Sequence, residues 1–250
     1  MNAAQRLVGI HERLSSIPAK DTRMFNVWAR ALGLDVPGPL DEDEVMLGVL
    51  AVRFEVDEVT QALKTLGRSA ELFQPHLERL RSLAGVDSLS APWRGLAGNI
   101  IAPDVRLALR WAAETLPDDE EAADTEALKD LADEFDQLTA TLATLELPPS
   151  LRTFATTQLR RLRSALRLYP IRGAAGLREA VEAAAGAYTV TVKHQAAAEP
   201  APSTEGNAFL KRFRVALGKA ADVTDKANKY SGAVIGLVQK GRQLIEWLSP

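Results

Sequence analysis

Apolar residues recur at steps of three and four along almost the whole of this 250-residue chain, a spacing that commits it to helices packed through one face. The clearest run is Val45, Val49, Val52, Val56, Val59, Leu63 and Leu66, one stripe over six turns. Its ends are marked chemically. Asp41 offers an N-cap, Glu42, Asp43 and Glu44 place negative charge against the positive end of the helix dipole, and Gly67 suits the left-handed residue past the last turn. Pro37, Gly38 and Pro39 separate this helix from what precedes it, and Ser69 is read as the cap of the next, with Leu72, Phe73, His76, Leu77, Leu80 and Leu83 on its buried face. Gly95, Gly98 and Pro103 make residues 93–103 the least regular stretch, read as a short helix and a turn. Residues 104–116 are again helical, ended by Pro117.

Charge then separates along the chain. Residues 118–146 hold eleven acids and one base, Lys129, around a stripe of Leu128, Leu131, Phe135, Leu138, Leu142 and Leu145. After Pro148 and Pro149, residues 150–178 hold seven arginines and no acid, around Leu151, Ala155, Leu159, Leu162, Leu166 and Tyr169. An acidic helix joined by a short loop to an arginine-rich one reads as an antiparallel helical hairpin whose charges pair across it. Arg160, Arg161 and Arg163 cannot all face one neighbour, so some look outward. Together with Arg167 and Arg172 they are the candidates for binding phosphate or nucleic acid. Arg172 lies in Tyr169-Pro-Ile-Arg-Gly-Ala-Ala-Gly176, a helix start that could hold an anion but lacks the spacing of a phosphate-binding loop. The β-branched run 188–192 fits a helix end or a short extended piece.

A Pro/Ala-rich stretch, 196–206, is read as a linker between an all-helical body of about eight helices, 1–195, and a helical tail, 207–250. The body is acidic; the tail carries eight basic residues against Asp222, Asp225 and Glu246. Its stripe includes Phe209, Phe213, Leu217, Tyr230, Val234, Val238, Ile245 and Leu248, with Trp247 near the end, and Gly232 and Gly236 favour two helices over one rod. Such a stripe beyond a linker needs something to cover it. A protein partner or a second copy fits its Ala, Gly and Val content better than an anionic membrane surface does, and docking on the chain's own acidic body is the remaining alternative.

Several chemistries are excluded or unsupported. Without cysteine there is no disulfide, thiolate nucleophile or cysteine-held metal. His11, His76 and His194 stand in no ligand spacing, His76 reading instead as a satisfied core residue, and no nucleophile elbow occurs. No cofactor or metal is expected, and catalysis has no motif behind it. The N-terminus lacks a secretory pattern and no apolar run approaches the roughly 20 residues of a membrane helix. The expectation is therefore an all-α cytoplasmic interaction protein, an adaptor or assembly subunit acting through its tail. Membrane-surface binding by the same tail and nucleic-acid binding through the arginine helix are the alternatives.

Overall fold

The structure, a computed structural model, describes residues 1–34, 41–118, 120–121, 124–198 and 201–227, with 192–198 described by backbone alone. It is all-helical: ten α-helices, two short 3-10 turns and, among the described residues, no strand. None of these helices is long and apolar enough to cross a membrane. The chain forms two compact units, one of residues Met1–Asp118 with Pro170–Gly173, the other of Asp119–Tyr169 with Ala174 onward. The division therefore falls near residue 118, while the stretch read as a linker is largely helical at both ends.

The first unit contains α1 (Ala3–Ser16), α2 (Met24–Ala31), α3 (Glu42–Thr65), α4 (Gln74–Leu83), α5 (Trp93–Ile100) and α6 (Pro103–Thr115). Helix α1 lies at its centre, packed on α2, α3, α5 and α6, and buries Leu7, Ile10 and Leu14 completely. Asn2 starts it by doing three things at once. Its Oδ1 accepts from the Gln5 backbone N–H in a capping box, while its Nδ2 donates to the Ala113 and Leu116 carbonyls at the end of α6. One buried side chain thus satisfies both an N-terminus and a C-terminus.

Helices α2 and α5 begin without a side-chain cap because their starts cap each other. Met24 and Phe25 donate their N–H groups to the Ala91 and Leu89 carbonyls, and Trp93 and Arg94 donate theirs to those of Thr22 and Lys20. Trp28 and Trp93, both fully buried, reach the Leu83 and Ile17 carbonyls through their indole N–H groups. Helix α3 ends as its sequence indicates: Gly67 takes φ +68°, its N–H bonds the Lys64 carbonyl, and that of Arg68 bonds Leu63, closing a Schellman motif. Inside the unit, Arg6 and Glu55 form a buried ion pair at 2.9 Å, and Arg6 Nε donates to the Ile171 carbonyl.

The second unit contains α7 (Thr125–Thr144), α8 (Pro149–Arg167), the part of α9 (Tyr169–Ala198) beyond Gly173, and α10 (Thr204–Ala227). Gly173 interrupts α9 with φ 59° and ψ −155°, a conformation open essentially to glycine. Immediately after it, the Ala174 N–H donates to Glu120, whose buried carboxylate occupies the new helix start. The run 188–192 is helical. Leu131, Phe135 and Leu138 of α7, Leu151, Phe154 and Leu159 of α8, Leu177 and Ala184 of α9, and Phe209, Phe213 and Leu217 of α10 share one core. Phe154 sits edge-on to both Tyr188 and Phe213, with ring centroids 5.8 and 5.5 Å apart.

Candidate functional site

The tail residues divide into two groups. Phe209, Phe213 and Leu217 lie in the interior of the second unit, Phe213 with no exposed surface, and are not available to a partner. Of the covers that this apolar spacing allows, the chain's own body supplies the one for these three residues, through α7 and α8. Tyr230, Val234, Val238, Ile245, Trp247 and Leu248 lie outside the described residues.

The arginines are likewise dispersed. Arg163 pairs with Asp136 on α7 at 2.6 Å, the cross-hairpin pairing that the opposite charges suggest. Arg152 crosses to the last turn of α7 and donates to the Leu142 and Leu145 carbonyls, placing a cation where the helix dipole is negative. Arg160, Arg161 and Arg167 are exposed on α8. Arg172 belongs to the first unit, its guanidinium 5.1 Å from the centre of the Phe54 ring. Arg160, Arg161, Arg163 and Arg167 thus belong to α8 in the second unit and Arg172 to the first, and the helix start that follows Gly173 already holds Glu120. His76 is partly exposed rather than buried, 3.4 Å from Asp104; His11 is the buried histidine, its Nε2 2.7 Å from the Ile100 carbonyl. Among the described residues no cluster of acids and histidines could hold a metal.

Two surface features were not anticipated. On α3, Leu47, Leu50 and Phe54 are each about half exposed, at spacings of three and four, on the face away from the buried valines. These residues formed a second, narrower stripe in the sequence, hidden beside the longer one. In the second unit, α7 and α10 border a groove of about 870 Å³. Lys219 bridges to Glu134 across it at 2.6 Å, and the Glu121 N–H bonds the Ala227 carbonyl at its other end. Both ends of the groove are thus fixed by contacts between residues far apart in sequence, which no local pattern encodes. Compared with protein-family models, curated proteins and solved structures, the chain matches none.

Proposed function

We propose that the chain is a non-catalytic helical interaction protein, an adaptor or assembly subunit, that binds a protein partner or a second copy of itself through residues 228–250. One observation supports this most. The apolar stripe that begins at Phe209 is consumed by the unit's own core as far as Ala227, yet the same spacing continues through Tyr230, Val234, Val238, Ile245 and Leu248. Lys229, Lys240 and Arg242 lie among them, a composition suited to a helix with one apolar and one basic face. The half-exposed Leu47, Leu50 and Phe54 add a second apolar surface for contact. A cytoplasmic location is part of the same proposal.

The test uses the full chain and its Val238→Asp/Ile245→Asp variant, with mass measured by light scattering across a concentration series. A bait pull-down followed by mass spectrometry runs beside it. Self-association or partner capture by the parent chain, lost in the variant while helicity by circular dichroism is unchanged, supports the proposal. Equal mass and equal capture for both refute it. Co-sedimentation of the parent with anionic vesicles, in the absence of any protein capture, would transfer the role to membrane-surface binding.

A further inference from the structure

We propose that Leu47, Leu50 and Phe54 on α3 form a docking seam for a basic amphipathic helix of a protein partner, one that carries a cation a turn beyond each end of its apolar stripe. The seam lies in the first unit and is separate from residues 228–250, so the inference goes beyond the proposed function.

The valines of α3 face the core, where the helix packs on α1 and α4, and the three large side chains on its other side are 49–50% exposed. Single exposed apolar residues are ordinary on a protein surface, whereas three in succession along one helix face make a patch suited to contact. From Asp43 the seam steps by four, three and four to Leu47, Leu50 and Phe54, and by four again to Glu58. Steps of three and four hold these side chains on one side of the helix, the arrangement through which two helices pack lengthwise. Asp43 and Glu58, both exposed, thus stand one turn beyond the two ends of the patch, about 22 Å apart along the axis.

These acids decide the occupant. A second copy of α3 is opposed in either direction: antiparallel overlay of the stripes puts Leu47 on Phe54 and Asp43 on Glu58, and parallel overlay puts each acid against itself. Like charges facing each other across a helix pair repel. A partner helix with lysine or arginine at both ends meets an opposite charge at each, whichever way it runs. Cations near the stripe are engaged or point away from it. Arg172 is stacked on the Phe54 ring at 5.1 Å, Arg81 bridges to Asp57 at 2.7 Å, and Arg53 projects about 100° from Phe54 around the helix. Apolar burial then supplies the attraction, and the two acids supply the choice of partner.

The test is a chemical-shift titration of the isotope-labelled full-length chain with two designed alanine-rich helical peptides. Both carry leucines at the spacing of the stripe; one has lysine a turn beyond each end and the other has glutamate. The lysine peptide is expected to shift the amides of α3 between Asp43 and Glu58 and to bind about tenfold more tightly than the glutamate peptide at low salt. Asp43→Lys/Glu58→Lys should reverse that order, and Leu47→Ser/Leu50→Ser should weaken the lysine peptide about tenfold. All four positions are exposed, and the spectrum of each variant verifies that the fold persists. Asp130→Lys/Asp133→Lys, on the exposed side of α7, controls for general attraction to an acidic chain and should leave the α3 titration unchanged. Absence of shifts on α3, equal affinity for the two peptides, or an equal loss in the α7 control overturns the proposal. A concentration-dependent rise in light-scattering mass that Leu47→Ser/Leu50→Ser abolishes also overturns it and assigns the stripe to a second copy. Val238→Asp/Ile245→Asp should leave the titration unchanged, so this inference and the proposed function can each fail alone.

Discussion

Replacing Glu55 by leucine isolates the energetic role of the buried ion pair in the first unit. Arg6 Nη2 lies 2.9 Å from Glu55 Oε2, and the two side chains are each 6% exposed. Removing only the carboxylate leaves the guanidinium in a poorly solvated interior, a loss of about 3–5 kcal/mol. Arg6 also donates through Nε to the Ile171 carbonyl at 2.9 Å, so Arg6→Met costs a similar amount plus about 1–3 kcal/mol for a carbonyl left without its donor. The double variant Arg6→Met/Glu55→Leu carries no stranded charge. It should lie within about 1–3 kcal/mol of the parent, the remainder being the Ile171 carbonyl. Urea unfolding followed by tryptophan fluorescence reads chiefly this unit, because three of the four tryptophans, Trp28, Trp93 and Trp111, lie within Met1–Asp118. Glu55→Leu costing less than about 1 kcal/mol, or a double variant as unstable as the two single losses added together, would refute the reasoning.

Three further substitutions have defined outcomes. Asn2→Ala removes a helix cap and leaves the Ala113 and Leu116 carbonyls without their donor, lowering stability by about 2–4 kcal/mol in the same urea assay. Gly173→Ala forces a side chain onto φ 59° and ψ −155° and should lower the thermal midpoint, at a cost of about 1–3 kcal/mol. Burial opposes ionisation of Asp104, but the Val105 N–H and the charges of Arg79 and His76 outweigh it and hold the carboxyl below its ordinary value of 3.8. A lowered folded value means the carboxylate's stabilisation is present above that ordinary value and is lost as pH falls through the folded one. Asp104→Asn should therefore be less stable than the parent at neutral pH, with the difference closing in acid unfolding below about pH 4.

Helix boundaries governed by nearby residues were legible in the sequence, as Asp41 and Gly67 around α3 show. The helical hairpin of α7 and α8 was legible too, because opposite charges on neighbouring segments have only a short loop between them. Partners across long separations were not. Periodicity says that Phe209, Phe213 and Leu217 need a cover, but the same pattern serves a core helix and an interface helix alike. The cover is supplied by residues of α7 and α8, tens of positions earlier in the chain. The mutual capping of α2 and α5 depends on backbone carbonyls, which leave no trace in side-chain identity. Residues 196–198 close α9 and residues 204–206 open α10, so both ends of the Pro/Ala-rich stretch are helical, which composition alone did not indicate. The stripe Leu47, Leu50 and Phe54 was overlooked because a longer valine stripe occupied the same helix.

That α10 is an integral helix of the second unit, with any interaction segment starting beyond Ala227, is tested most directly by hydrogen exchange of the full-length Phe213→Ala variant. Phe213 is fully buried and touches Phe154 edge-on, so the truncation should cost about 3–5 kcal/mol. Amide protection should then fall by about two to four orders of magnitude in α7 and α8 as well as in α10. Unchanged protection in α7 and α8, with faster exchange confined to residues 204–227, would show instead that α10 is not part of that core and that its stripe is free to serve a partner.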